Sequence, residues 1–411
     1  MTAGTMTESG VAHDSAYSWL RLSIAVLIST IGSVGMWSVV VALPAVQTEF
    51  GVSRADASLP FTMTMFGFAF GNVALGRLSD RFGIVAPVVL GALSLCAGYV
   101  IAGNASGLWV FAGAHLLIGL GASASFGPMM ADISHWFLRR RGIAVAIAAA
   151  GNYLAGAIWP PIVQYSIGDF GWRMTHVWVG LFCAVTMVPL AFALLRRPKV
   201  HETPQLVVAR GTQSALGLSP GTLQTILCIA GIACCVAMSM PQVHLVAYCA
   251  DLGYGPARGA EMLSLMLAFG IVSRIASGFL ADRIGGLATL LIGSLAQGTA
   301  LSLYLFFESL PSLYVISALF GLFQGGIVPS YAIIVREYFS PKEAGTRVGI
   351  VIMMTVFGMA FGGWVTGWIF DMTGSYHIAF IHGVAWNVLN AGIAAWLLMR
   401  LRSHTPRLAA A

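Results

Sequence analysis

Apolar residues run in long blocks along this chain, and polar residues gather in short joints between them. Twelve blocks read as helices: 20–47, 58–77, 84–103, 108–136, 143–167, 174–195, 222–249, 257–280, 286–307, 311–335, 347–370 and 376–399. Each approaches or exceeds the roughly 20 residues that cross a bilayer as an α-helix. The joints carry Gly, Asp, Pro or charge. The only long polar connection runs from Arg196 to Gly221 and divides the blocks six and six. The expected organisation is a tail over 1–18, a six-helix bundle over 19–195, a linker over 196–221, a second six-helix bundle over 222–400 and a tail over 401–411.

Composition agrees with this pattern. The 411 residues are 58% hydrophobic and only 9% charged, against about 25% charged in soluble domains. Water-soluble, disordered and coiled-coil classes are excluded. The first 18 residues lack a basic segment followed by a cleavable apolar core, so they read as a tail rather than a signal peptide. The six cysteines lie in apolar stretches without metal-ligand spacing and read as small buried residues.

The position of charge matters more than its sum of +6, which is no nucleic-acid signal here. Seventeen of the 21 Lys and Arg residues fall on one side of the twelve-span arrangement, together with both ends and the middle connection. Arg54, Arg173 and Arg258 fall on the other side, and Arg274 lies within a span. The positive-inside rule makes the rich side, with both termini, cytoplasmic.

The two halves match at a constant shift of 202 residues. Gly51 falls on Gly253, Gly76 on Gly278, Asp80 on Asp282, Arg81 on Arg283, Gly83 on Gly285, Gly119 on Gly321, Leu120 on Leu322, Phe137 on Phe339, Gly156 on Gly358 and Asp169 on Asp371. Glu49 falls on Asp251. Six spans per half keep both halves in the same orientation. That is the parallel repeat of secondary transporters, with a substrate site between the halves near mid-membrane.

After the second span comes Gly76-Arg77-Leu78-Ser79-Asp80-Arg81-Phe82-Gly83, and after the eighth Gly278-Phe279-Leu280-Ala281-Asp282-Arg283-Ile284-Gly285. The Gly would let helices approach closely. The Asp would sit at the positive end of the next helix. Arg77 or Arg81 would pair with Asp132, near the end of the fourth span, and so hold one side shut in one state. A plain loop with topology charges is the alternative. This doubled motif resembles the signature of the major facilitator superfamily, which implies an all-α membrane protein of twelve helices in two bundles related by a pseudo-two-fold axis.

A narrower resemblance, to monocarboxylate and oxalate–formate transporters, rests on Leu43 to Arg54, Trp136-Phe137, Arg140 to Ala144, Gly171-Trp172-Arg173, His244-Leu245-Val246 and Asp251-Leu252-Gly253. The resembling family places a carboxylate-binding Arg in the eighth span, where Arg274 stands. Arg274 is eight residues before Asp282, about 12 Å along the helix. An Arg at depth costs about 2.5–3.5 kcal/mol and usually faces a cavity or a partner. Its planar fork matches a carboxylate. Snorkelling or structural pairing is the alternative.

The repeat maps Arg274 onto Asn72, a polar counterpart across the axis or a helix–helix hydrogen bond. Two departures bear on coupling. Proton-coupled animal members carry an Asp one turn before this Arg, where this chain has Gly270, and a Lys in the first span, where it has none. The second Lys of the exchangers, in the eleventh span, is also missing. One fixed cation suits a monoanion. His115 and His244 could titrate near neutral pH or could be packed residues.

In the superfamily, spans 1, 4, 7 and 10 and parts of 2, 5, 8 and 11 line the cavity. Trp37, Thr62, His115, Asn152, Tyr153, Tyr248, Gln324 and Tyr331 are the polar or aromatic residues there, with packing an equal reading for each. Pro128, Pro160, Pro161, Pro241 and Pro329 would mark kinks. The expected function is inner-membrane transport of a small monocarboxylate anion by alternating access, with proton symport as the expected coupling and a monomer sufficient. Anion exchange of the oxalate–formate type and export of larger amphiphiles are the rivals. No enzyme, cofactor or metal site is expected.

Overall fold

The computed structural model describes residues 13–196 and 216–408. The linker residues 197–215, the tail residues 1–12 and the final three residues lie outside the described residues. Every regular element among the described residues is an α-helix.

The first half comprises α1 (Ala16–Gly32), α2 (Val34–Phe50), α3 (Arg54–Phe82), α4 (Val85–Gly103), α5 (Leu108–Ser123), α6 (Gly127–Ser134) and α7 (Arg141–Phe192). The second comprises α8 (Pro220–Asp251), α9 (Pro256–Ile284), α10 (Gly286–Leu303), α11 (Leu310–Gln324), α12 (Ile327–Tyr338), α13 (Pro341–Thr373) and α14 (His377–Leu408). Local chemistry sets several starts. The Ser15, Ser53 and Ser219 side chains accept the backbone N–H groups of Ser18, Asp56 and Thr222, the usual way to satisfy a free helix N-terminus.

Eleven helical stretches are long and apolar enough to cross a membrane. One of them, Gly142–Phe192, is 51 residues long and breaks at Gly171, whose φ of 76° lies in the left-handed region. It therefore makes two crossings, which gives twelve. Only glycine adopts that conformation without strain, and it lets spans five and six join with no loop. The fourth and tenth spans, expected to be continuous, are interrupted after Ser123 and Gln324, just before Pro128 and Pro329. The first is interrupted at Ser33. By contrast, Pro160, Pro161 and Pro241 lie inside continuous helices.

The repeat is visible in packing. A side chain at Gly119 would collide with the Thr64 carbonyl of α3, and one at Gly321 with the Met266 carbonyl of α9. Backbones touch there in both halves, as small residues permit in membrane bundles. Between the halves, α3 packs against α13 and α7 against α9, and α2 also touches α8. Large apolar side chains face outward, Trp109 at 77% exposure and Phe306 at 75% among them. So extensive an exposed apolar surface suits lipid rather than water.

Toward the end away from the termini, the Thr62 hydroxyl donates to the Ala360 carbonyl at 3.1 Å and Phe66 meets Phe357 edge-on at 5.7 Å. These contacts join the halves toward the far end.

Candidate functional site

Arg274 sits on α9 at the seam with α7. Its guanidinium lies 4.3 Å from the centroid of the Tyr153 ring, a cation–π contact worth about 0.5–2 kcal/mol depending on desolvation. Nη1 donates to the Ala149 carbonyl, one turn away on α7, at 3.0 Å. Nε reaches the Gly325 carbonyl at the interrupted end of α11, at 3.5 Å. The side chain thus ties the first half to the second. Among the described residues no carboxylate pairs with it.

The glycine that replaces the animal members' Asp has a visible role. A Cβ on Gly270 would run into the Tyr153 ring, so its absence admits that ring to the face of α9 beside Arg274. Asn152 precedes Tyr153, and its side-chain oxygen and backbone carbonyl both accept the Trp37 indole N–H at 3.3 Å. A turn further on, a Cβ at Gly156 would meet both Trp37 and Leu267. Arg274, Tyr153, Asn152 and Trp37 therefore gather where α2, α7 and α9 meet.

The other candidates lie elsewhere. Asn72 bonds between helices: its amide donates to the Phe68 carbonyl at 2.8 Å and its oxygen accepts the Gly127 N–H at 3.0 Å, at the start of α6. Like Arg274, it serves the break in the neighbouring helix. His115 is fully buried in the first half. Its Nδ1 bonds the Phe111 carbonyl at 2.8 Å, within an aromatic group that includes Trp172 and His176. Tyr331 is also fully buried and donates to Asn390 at 2.6 Å. Gln324 bonds Gln242 at 2.9 Å inside the second half.

The loop motif requires three corrections. Asp132 pairs with Arg21 on α1, not with Arg77 or Arg81. Arg21 is 1% exposed and grips both carboxylate oxygens, at 2.8 and 2.9 Å. Its remaining nitrogen donates to the Leu194 and Arg196 carbonyls at 3.1 Å, and Trp136 stacks on it at 4.4 Å. Arg77, Arg81, Asp80, Asp282 and Arg283 are exposed, with no ion pair across the seam among the described residues. Arg81 lies over its neighbour Phe82.

Nor do Gly76 and Gly278 carry a close helix approach, since nothing lies within 4 Å of either position. Gly83 and Gly285 have φ of 81° and 82° and end α3 and α9. The carboxylate at the positive end of α10 is Glu337 of α12, accepting the Gly286 N–H at 3.0 and 3.2 Å, rather than Asp282.

Sequence reasoning missed one cluster. Arg54, counted only as a minority charge, is 8% exposed and bridges the halves at the far end. It binds both oxygens of Asp251 at 3.1 Å and the Tyr376 hydroxyl at 2.7 Å. The signal was available in its register with Asp371 and Asp251, two acids of the repeat at the same end.

Comparison with known proteins decides the family. The profile described as Major Facilitator Superfamily matches residues 25–298 and 227–411. The chain belongs to this superfamily. Among curated relatives, monocarboxylate transporter 13 of Bos taurus is 27% identical over 340 residues, covering 82% of this chain and 78% of the relative. Monocarboxylate transporter 12 of Rattus norvegicus is 23% identical, covering 93% and 85%. The nucleoside transporter NupG matches with TM-score 0.73 at 14% identity, covering 92% of this chain and 99% of that one. A bacterial homologue of the human lysosomal transporter Spinster matches with TM-score 0.71 at 14% identity, covering 95% and 98%. These two likenesses concern the fold. This superfamily member is a multi-pass membrane transporter of a small molecule and not an enzyme, and several of its relatives are named monocarboxylate transporters.

Proposed function

We propose that this transporter moves small monocarboxylate anions by rocking its two halves about a central site, with Arg274 as the docking group for the carboxylate. The observation that carries this reading is the position of Arg274. It is a fixed cation at the seam of the halves, backed by the Tyr153 face and held by two backbone carbonyls rather than by an acid. Carbonyls orient the guanidinium without cancelling its charge, so the site retains a net attraction for one anion. A carboxylate would exchange a neutral acceptor for an ionised one, and charge-assisted bonds are roughly twice as strong. Tyr153, Asn152 and Trp37 supply a ring face and polar atoms beside the cation. The positive-inside rule assigns the basic end, with both termini, to the cytoplasm. The membrane is then the cell inner membrane, a monomer suffices, and proton symport remains the proposed coupling over counter-anion exchange.

The test is uptake in proteoliposomes of a panel of labelled short acids, with and without an imposed pH gradient. Arg274→Ala is expected to abolish saturable uptake, and Arg274→Lys to raise KM about tenfold or more, because an ammonium keeps charge but loses the planar fork. Unchanged uptake in Arg274→Ala would overturn the carboxylate reading and favour export of larger amphiphiles. Accumulation driven by the gradient would support symport.

A further inference from the structure

The geometry points to an asymmetric clasp centred on Arg54 that holds the far face of the transporter shut, with Asp251 and Asp371 as its gating acids. It rests on the alternating-access reading above but not on which cargo is carried.

Arg54 opens α3 in the first half, and the hydrogen-bond partners of its guanidinium belong to the second. Its fork takes both oxygens of Asp251, at the end of α8, at 3.1 Å. The guanidinium lies 4.6 Å over the Phe370 ring of α13. Its Nη1 also donates to the Tyr376 hydroxyl at 2.7 Å. That hydroxyl donates on to His244 Nδ1 of α8 at 3.0 Å, while His244 Nε2 donates to the Gly363 carbonyl of α13 at 2.8 Å. Asp371 of α13 completes the arrangement: its two oxygens accept the backbone N–H groups of Arg54 and Ala55 at 2.8 Å each. An acid of one half therefore caps the first turn of a helix in the other, where the helix dipole favours negative charge.

The repeat shows that this is a specialisation and not a by-product of the fold. At the 202-residue shift Arg54 becomes Pro256, Tyr376 becomes Met174 and His244 becomes Ala42. Pro256 has neither a guanidinium nor an N–H to offer. Asp169, the counterpart of Asp371, is exposed. Glu49, the counterpart of Asp251, turns to its own half, taking the Trp172 indole N–H at 2.5 Å and Arg173 at 2.7 Å. The seam between α7 and α9 is bridged instead by bonds to backbone carbonyls with no ion pair, the Ser264 hydroxyl on the Ala157 carbonyl and Arg274 on the Ala149 carbonyl. One seam thus carries a charged, capped clasp and the other does not.

Opening the far face requires separating Arg54 from both acids. Separating them gives up the charge-assisted bonds and the helix cap, so the clasp biases the transporter toward the state closed at the far face. Its loss shifts the population the other way.

The test uses the full chain with its six native cysteines replaced and Thr62→Cys as reporter, since Thr62 is buried in the clasped seam. A membrane-impermeant maleimide is applied to the face opposite the termini. Arg54→Gln and Asp371→Asn are each expected to speed labelling at least tenfold. The exchanged pair Arg54→Asp with Asp251→Arg is expected to restore slow labelling. Asp371→Asn is nearly isosteric and serves if Arg54→Gln does not fold. Labelling that is equally slow in both single variants, or an exchanged pair that labels as fast as Arg54→Gln, overturns the clasp whatever uptake shows. Accelerated labelling in a protein that carries no short acid supports the clasp while refuting the carboxylate cargo.

Discussion

Replacing Asp132 with Ala strands a guanidinium that has almost no access to water. Arg21 is 1% exposed and Asp132 8%, and two short bonds join them. Removing one partner of a buried pair costs about 3–5 kcal/mol, because the remaining charge stays buried without compensation. The Leu194 and Arg196 carbonyls and the Trp136 face would soften this only in part. Arg21→Met should cost a similar amount by stranding the carboxylate. The double variant Arg21→Met, Asp132→Ala removes both charges and should recover most of the loss. It should retain a deficit of about 1–2 kcal/mol, the order of magnitude for carbonyls deprived of a donor. Reversible unfolding in mixed detergent micelles, read by tryptophan fluorescence, gives the four corners of the cycle. A cost below about 1 kcal/mol for Asp132→Ala, or losses that simply add in the double variant, would refute the assignment of this pair as a buried staple of α1 to α6.

Tyr153→Phe should leave uptake KM within about twofold, whereas Tyr153→Leu should raise it several-fold, because the cation needs a ring face rather than a hydroxyl. Equal effects of the two changes would remove the ring from the site. Gly321→Val should prevent accumulation of folded protein, judged by size-exclusion profile, because its side chain would enter the Met266 backbone; Gly349→Ala, facing open space, should not. Asp14 lies outside the membrane-spanning helices and its carboxyl is held below the usual Asp value, first by the Arg139 N–H and also by those of Leu138 and Arg140. A depressed value means that this docking is fully present above the ordinary pKa of about 3.9 and is lost as pH falls through the lowered one. The protection factors of the amides at 138–140 should therefore be high at neutral pH, fall only in acid, and already be low at neutral pH in Asp14→Asn.

The twelve crossings were legible because apolar blocks of membrane length have few other readings. The repeat was legible because glycines at backbone contacts, Gly119 and Gly321, cannot be exchanged without collision. The neighbours of Arg274 were partly legible: Tyr153, Asn152 and Trp37 meet there, but Asn72, His115 and Tyr331 do not. Residue type and span number give depth, not the direction a side chain takes around its helix. Partner choice was the least legible. Arg21 and Arg77 are equivalent as charges on the same side, and only the interruption before α6 shows why Asp132 meets Arg21. The Gly270–Tyr153 exchange was invisible as chemistry because it depends on space rather than on a functional group.

The turn at Gly171 has a mechanical corollary. With no connecting loop between them, the two arms of α7 form a stiff hairpin. One arm bears Tyr153 and Ala149, and the other presents Trp178, Phe182 and Val185 to the surroundings at 60, 45 and 71% exposure. Any tilt that shifts the ring under the cation must swing those outer side chains through the hydrocarbon. Under the proposed rocking, the thickness and stiffness of the bilayer would load that motion through a single left-handed residue.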